Sequence, residues 1–169
     1  IILKKMNRKH NKQFYIDLVA KIREIKKEMA FSSDFIVGYP GETDNDFEET
    51  LDLIEKVKFA SAYSFKYSTR PGTPASFEDY NISEDKANLR LAKIQELLNI
   101  QQRDFNLSFI GKTVEVLFDK IGRKKNQFVG RTPHLQPVHV YSTENVIGKL
   151  KNVSISDLTS FSFHGKLIN

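Results

Sequence analysis

The sequence contains no cysteine among its 169 residues. This absence excludes a disulfide framework, a thiolate metal site and a cysteine nucleophile. Long hydrophobic runs are also missing, because no stretch approaches the length of a membrane span and the apolar start of the chain is too short for a signal peptide. Together these absences favour a cytoplasmic protein with no membrane partner.

Several motifs of well-known enzyme classes are absent as well. The sequence has no nucleophile elbow, no P-loop and no dinucleotide-binding fingerprint. Its four histidines have neither the spacing of metal ligands nor an acidic partner in a recognisable motif. We therefore predict no metal site.

Positive charge is concentrated at the two ends of the chain. Residues 1–29 carry nine lysines and arginines against three acids, and residues 110–169 carry nine against four. Residues 30–60 have the opposite balance, two against eight. A local basic excess indicates a polyanionic partner, although for basic patches in general two solvated faces are the commoner case.

The most informative stretch runs from Asp34 to Thr43, with the sequence DFIVGYPGET. Its apolar run predicts a buried parallel strand over 31–37, covered on both faces. The strand ends at Gly38, and a Pro-Gly pair then turns the chain into a helix. A strand end followed by a glycine loop and a helix N-terminus is where α/β folds place ligands. An ordinary turn without a ligand is the alternative.

Helical periodicity predicts three amphipathic helices, over residues 14–29, 44–58 and 83–108. Thr43 is expected to cap the second helix, with Asp46 at the capping-box position. The buried stripe of that helix is predicted from the apolar spacing to consist of Phe47, Leu51, Ile54 and Val57.

Acidic residues fill the first turn of the helix over 44–58, where they suit the helix dipole. They argue against a bare phosphate site at that terminus. We therefore interpret Glu42, which precedes the helix, as an acceptor of hydrogen bonds from hydroxyl or amine groups of a ligand.

Clean alternation predicts a strand over 61–68, and two prolines and a glycine fix the loop that follows over 69–75. Arg70 lies in that loop and could hold a carboxylate or phosphate through its planar guanidinium, or pair with a nearby acid to brace the loop. Asp34, within the earlier strand, is either a hydrogen-bonded structural acid or a contact to substrate.

From residue 112 the pattern changes to short alternating strands separated by Gly, Asn, Ser, Thr and Lys. Their spacing predicts a small antiparallel β-barrel. Small basic β-barrels with exposed aromatic residues commonly bind RNA, and Lys124, Lys125 and Arg131 are the first candidates for RNA contact. The five predicted strands are residues 113–118, 127–131, 137–141, 148–155 and 161–167.

These motifs resemble the tRNA methylthiotransferases of the radical S-adenosylmethionine superfamily, the MiaB type. Ser33 to Thr43 is similar to the family's Thr/Ser-Asp-x-Ile-Val-Gly-Phe/Tyr-Pro-Gly-Glu-Thr run, and Tyr67 to Ala75 to its Tyr-Ser-x-Arg-Pro-Gly-Thr-Pro-Ala run. Gly130-Arg-Thr132 resembles part of the family's TRAM domain. The resemblance implies that residues 1–109 are the C-terminal part of a radical SAM (βα) barrel and that 110–169 form an OB-like TRAM barrel.

The resemblance also implies ligands and partners. The glycine loop of the family lies against the nucleoside part of S-adenosylmethionine, while Asp34 and Arg70 would face the barrel mouth near cofactor or substrate. The basic barrel would grip a tRNA anticodon stem-loop, and the family's reaction adds a methylthio group to carbon 2 of an isopentenylated adenosine beside the anticodon. The residues that would contact the cofactor are Gly38, Pro40, Gly41 and Glu42.

The chain departs from the family in lacking the cysteines that bind its iron–sulfur clusters. We expect no catalytic residue here and no activity from this chain alone. It begins with Ile1 rather than Met, and three interpretations stay open: a fragment of a longer polypeptide, a half that pairs with a separate N-terminal chain, or a remnant. Rival functions are a stand-alone RNA-binding module and a methylthiotransferase for another adenosine derivative or a ribosomal protein.

Overall fold

The structure is a computed structural model that describes residues 1–78, 82–160 and 162–168. The chain divides into two compact units, Ile1–Arg103 and Asp104–Asn169, called here the α/β unit and the barrel unit. The elements of the first part of the chain are α1 (Ile2–Lys5), α2 (Lys12–Ile25), β1 (Ser32–Val37), α3 (Asp44–Val57), β2 (Ser61–Lys66), a short 3-10 helix (Pro74–Phe77) and α4 (Glu84–Leu107).

Strands β1 and β2 form a two-stranded parallel sheet, in register from Ser32 opposite Ser61 to Val37 opposite Lys66. One face of this sheet packs on α2, α3 and α4 through a core that includes Phe35, Val37 and Phe59. The other face is open, with residues such as Asp34 exposed. The prediction that β1 is covered on both faces is therefore wrong for this chain, because no described element packs on the second face.

Helix α3 begins and packs as its sequence predicts. The Thr43 hydroxyl accepts the backbone N–H of Asp46 at 3.1 Å, and the Asp46 carboxylate accepts the backbone N–H of Thr43 at 3.0 Å. This reciprocal capping box satisfies two backbone donors that the helix leaves without partners. The predicted stripe is confirmed, since Phe47, Leu51, Ile54 and Val57 are all buried.

Helix α2 ends earlier than predicted, at Ile25 rather than at residue 29. Its buried stripe includes Val19, but Ile25 is 89% exposed. A further helical turn would therefore gain no packing, and most helical stability in proteins comes from packing of an apolar face. Helix α4 begins after Ser83, whose hydroxyl accepts the Lys86 backbone N–H at 3.3 Å and so caps the helix.

The barrel unit is a closed ring of five strands in the order β3-β4-β5-β7-β6. Four neighbouring pairs in the ring are antiparallel, but β5 and β7 are parallel. The prediction of a purely antiparallel barrel is wrong for a simple reason: strand directions cannot alternate around a closed ring with an odd number of members. The strands are β3 (Thr113–Ile121), β4 (Gln127–Arg131), β5 (Pro137–Tyr141), β6 (Leu150–Leu158) and β7 (Phe163–Leu167).

The interior of the ring is filled by residues such as Phe118, Val140 and Phe163, each no more than 1% exposed. Its wall is equally tight, because a Cβ at Gly130 would fall 2.6 Å from the carbonyl oxygen of Leu117. Phe161, where the last strand was predicted to begin, lies outside the described residues. In the described ranges, no helix combines the length and apolarity needed to cross a bilayer.

Candidate functional site

The glycine loop, Gly38–Glu42, leaves the carboxyl end of β1. Gly38 and Gly41 have φ angles of +72° and +81°, which side chains rarely adopt. The Glu42 N–H donates to the Tyr39 carbonyl at 2.9 Å and closes the turn. Gly41 is exposed while Gly38 and Pro40 are buried, so the loop offers backbone rather than side chains to its surroundings.

Glu42 is buried, with 8% of the residue exposed, and its carboxylate is bonded within the protein. Its Oε2 accepts the Gly38 N–H at 2.7 Å and lies 2.6 Å from Nη1 of Arg90. Burial raises the pKa of the Glu42 carboxyl above its ordinary value, and the Gly38 N–H and the Arg90 cation oppose that rise. Whether Glu42 also contacts a ligand stays a prediction.

Arg90 of α4 is the residue that sequence reasoning missed. It is 3% exposed, and its Nη2 also donates to Asp44 Oδ1 at 2.7 Å. A charged residue in a polar helix suggests a solvated face, yet the spacing of residues along this helix indicates that Arg90 is buried. Arg90 falls at helical spacing with Ala87 and Ile94, both of which are buried.

The second predicted loop leaves the same edge of the sheet, because β1 and β2 are parallel and the Tyr67 N–H donates to the Val37 carbonyl at 2.8 Å. Arg70 in this loop is exposed. Its backbone carbonyl accepts the Thr73 hydroxyl at 2.8 Å. Among the described residues no acid pairs with its guanidinium, so the alternative role as a loop brace has no support there.

The open face of the sheet lies beside these two loops and carries large apolar side chains. Asp34 is opposite Tyr63, and Ile36 is opposite Phe65, in the parallel register. Tyr63 is 69% exposed and Phe65 52% exposed. Asp34 therefore lies on an accessible face with aromatic neighbours and, within the described ranges, forms no ion pair.

The predicted RNA contacts lie in the barrel unit. Lys124 and Lys125 are exposed in the turn between β3 and β4. Gln127 holds this turn, since its N–H donates to the Lys124 carbonyl at 3.1 Å and its carbonyl accepts the Gly122 N–H at 2.7 Å. Arg131 is exposed at the end of β4 and donates to the Leu135 carbonyl at 3.0 Å.

Two histidines of the barrel unit pack side by side across the parallel strands. His139 is opposite His164, and their ring centroids are 5.6 Å apart. Burial lowers the pKa of His139, and the neighbouring His164 lowers it further. In the part of the chain that the structure describes, no group of three or more His, Asp or Glu side chains could hold a metal ion.

Comparison with known families shows which families the two parts of the chain resemble. The model of the radical SAM superfamily matches residues 1–54, and the model of the TRAM domain matches residues 107–168. The glycine loop thus lies within the residues that match the radical SAM model, and the basic barrel within those that match the TRAM model. The chain is similar to the C-terminal part of the radical SAM methylthiotransferases of the MiaB type.

Individual relatives are similar along nearly the whole chain. The tRNA-2-methylthio-N(6)-dimethylallyladenosine synthase of Rickettsia conorii is 44% identical over 168 residues, covering 99% of this chain and 38% of the relative. The protein of the same name from Rickettsia canadensis is 45% identical over 167 residues, covering 98% of this chain and 37% of the relative. The chain therefore spans less than two-fifths of the length of these relatives.

Proposed function

We propose that this chain is the C-terminal portion of a tRNA methylthiotransferase that acts on carbon 2 of an N6-dimethylallyl (isopentenyl) adenosine beside the anticodon. The observation that carries the proposal is identity of 44% over 99% of the chain to a synthase of that name. The arrangement of the two loops supports it, because both leave the carboxyl edge of one parallel sheet. That edge is where α/β folds bind ligands.

In this proposal residues 1–109 are the last part of a (βα) barrel. The parallel β1–β2 pair and its helices supply part of the wall, and the open face would look toward the barrel interior. The earlier strands would come from the rest of a longer polypeptide or from a separate N-terminal chain. An exposed face with Tyr63 and Phe65 suits such a partner, since burying large apolar side chains away from water is favourable.

The chemistry of the residues fits S-adenosylmethionine, which is a nucleoside with a carboxylate and an amino group. Exposed backbone at Gly41 permits close approach, the aromatic face suits an adenine ring, and the guanidinium of Arg70 suits a carboxylate. The cluster that cleaves the cofactor in the full enzyme needs cysteines, and this chain has none. We therefore assign binding residues to it and no catalytic residue.

The barrel unit would hold the anticodon stem-loop of the tRNA through Lys124, Lys125 and Arg131. Its cations are exposed and form no ion pair among the described residues, so their charge is available to phosphates. We place the enzyme in the cytoplasm, where tRNA is modified. Activity on another adenosine derivative or on a ribosomal protein is the competing proposal.

The nucleosides of tRNA from cells in which the gene is silenced test the proposed reaction. Mass spectrometry is expected to show loss of the 2-methylthio group with the N6-dimethylallyl group retained. Re-expression of the native gene should restore it. Normal tRNA together with a lost modification on a ribosomal protein would favour the competing substrate, and no change in either would favour the RNA-binding module.

The mass and iron content of the native product, purified from its source cells, decide how the chain functions. A product well above 19.5 kDa that contains iron would identify a piece of a complete radical enzyme. A product of that size with a separate iron-containing chain would identify a split enzyme. The same product alone and without iron would identify an RNA-binding remnant and contradict the proposal.

A further inference from the structure

Arg90 joins three parts of the α/β unit. From α4 it donates to Glu42 Oε2 at 2.6 Å and to Asp44 Oδ1 at 2.7 Å, and its guanidinium carbon lies 5.2 Å from the ring centroid of Phe47. Its side chain and that of Glu42 are each 4% exposed. A buried, hydrogen-bonded ion pair therefore connects α4 to the last residue of the glycine loop and to the first turn of α3.

The same carboxylate oxygen closes the glycine loop. Glu42 Oε2 accepts the Gly38 N–H at 2.7 Å, so the residue that begins the loop is bonded to the residue that ends it. Gly38 is in the left-handed region at φ +72°. The direction of its N–H there depends on contacts such as the one with Glu42. The Glu42 carboxylate therefore lies between the Arg90 guanidinium and the Gly38 N–H and accepts a hydrogen bond from each.

Stability alone explains this arginine poorly. Its Nε is buried and has no hydrogen-bond partner among the described residues, and an unpaired buried donor is costly. Buried ion pairs are often matched or exceeded in stability by apolar residues of similar volume. A buried arginine with an unsatisfied nitrogen is better explained by the geometry that it imposes on the loop.

We propose that Arg90 is a positioning residue of the glycine loop: by holding the Glu42 carboxylate, it fixes the backbone of residues 38–42 before any ligand arrives. Glu42 then acts on the ligand site through the backbone of the loop. The identity of that ligand as S-adenosylmethionine rests on the proposed function above, whereas the fixing of the loop does not.

Amide hydrogen exchange in the 169-residue chain tests the fixing of the loop. Arg90→Met removes the cation and leaves Glu42 buried without it, and we expect Gly38 N–H exchange to accelerate about tenfold or more, beyond any change in global stability measured by denaturant. Arg90→Lys keeps the charge but loses the planar fork. It should fall between Arg90→Met and the native protein.

Lys93→Met is the matched control. Lys93 also lies on α4, its Nζ is 3.1 Å from Glu48 Oε1 and 5.7 Å from the Phe47 ring centroid, and it does not touch the glycine loop. Exchange at Gly38 should be unchanged in this variant. Equal acceleration in Lys93→Met and Arg90→Met, or no acceleration in Arg90→Met, would overturn the proposal.

Should Arg90→Met fail to fold, Glu42→Gln tests the same connection. Its amide oxygen still accepts the Gly38 N–H, while the ion pair with Arg90 is lost. Faster exchange at Gly38 with the exchange of α3 unchanged supports the proposal. Native exchange at Gly38 in this variant contradicts it.

Titration with S-adenosylmethionine separates the role of Arg90 in fixing the loop from the identity of the ligand. If the native chain binds it, Arg90→Met should weaken binding about tenfold and Lys93→Met should not. Unaltered affinity despite a loosened loop would overturn the positioning role for this ligand. Failure of the native chain to bind would instead count against the proposed cofactor, and the exchange result would still decide whether Arg90 fixes the loop.

Discussion

The two units use charged side chains in opposite ways. From Ile1 to Arg103 seventeen lysines and arginines face sixteen acids, and from Asp104 to Asn169 nine face five. The α/β unit contains ion pairs such as Lys12–Glu49 and Lys66–Glu84. The described residues of the barrel unit contain none. Cations are neutralised internally in one unit and left available in the other.

This difference affects how available the cations are to anionic ligands more than it affects the stability of either unit. Exposed ion pairs contribute only about 0–1 kcal/mol each to the free energy of unfolding, so their presence does not make the α/β unit the firmer of the two. Their absence from the barrel unit leaves a field that attracts anions and is weakened by salt. We therefore expect substitutions in the α/β unit and in the barrel unit to give different experimental responses.

The largest effects should follow loss of a core aromatic in either unit. Phe163→Ala in the barrel and Phe59→Ala in the α/β unit each replace a side chain that is 1% exposed. Each change should lower the free energy of unfolding by about 3–5 kcal/mol. The two side chains belong to separate core clusters, so hydrogen exchange should accelerate mainly in the unit that carries the substitution. Equal acceleration in both units would contradict separate cores.

Glycine-to-alanine substitutions should distinguish the steric cost of an added Cβ from the conformational cost of a left-handed backbone, both measured as loss of unfolding free energy. A Cβ at Gly130 in the barrel would meet the Leu117 carbonyl oxygen at 2.6 Å, whereas Gly72 in the α/β unit has φ +80° and nothing within 4 Å. Gly130→Ala should cost about 1–3 kcal/mol through overpacking. Gly72→Ala should cost about 1 kcal/mol through its left-handed backbone. Urea denaturation measures both, and the reverse order would contradict the close packing of the barrel wall.

Lysine substitutions should distinguish free from paired cations. Lys124→Ala with Lys125→Ala removes two exposed barrel cations, and affinity for a tRNA anticodon stem-loop should fall while the slope of log K against log salt flattens by between about one and two. The control pair is Lys86→Ala with Lys93→Ala, which contact Asp44 and Glu48 in the α/β unit. Filter binding at several salt concentrations measures both. An unchanged slope in the barrel variant would remove these lysines from the proposed RNA surface.

The smallest effects should be pH responses of opposite sign. The pKa of Glu42 is raised from 4.5 by burial, so its contribution to stability, relative to Glu42→Gln, should fall as pH rises from 4.5 through its higher folded value. The pKa of His139 is lowered from 6.5 by burial. Its contribution, relative to His139→Gln, should fall as pH drops from 6.5 through its lower folded value. Urea denaturation at several pH values, with hydrogen exchange followed in each unit, measures how each contribution changes with pH. Changes of the same sign in the two units would contradict one of the two directions.

The sequence predicts local structure well where one face of an element is buried. The Thr43 cap and the stripe from Phe47 to Val57 follow from residue types and spacing alone. The strand periods also locate β4 and β5 at their observed limits. The direction of β7 beside β5 does not follow from periodicity, because alternation in a strand is the same in either direction. An odd number of strands in a closed ring requires a parallel pair, and the order of the strands places that pair between β5 and β7.

The candidate site shows where such reasoning stops. The glycine loop is evident in the sequence, but the partner of Glu42 lies 48 residues further along the chain. Arg90 lies between Leu89 and Leu91 in a helix rich in polar residues, and only its spacing with Ala87 and Ile94 indicates burial. Contacts between distant positions depend on how helices pack on the sheet, and no local pattern records that packing.

The order of the strands in the barrel also has a consequence for biosynthesis. Hairpins β3–β4 and β4–β5 can form as soon as their residues leave the ribosome, but β5 has no second neighbour until β7 is made. Until then β5 presents an open edge, and open edges are sites of aggregation. Truncation before Phe163 should therefore yield nascent chains that depend on chaperones, and ribosome profiling with chaperone capture would locate the release point at the emergence of β7.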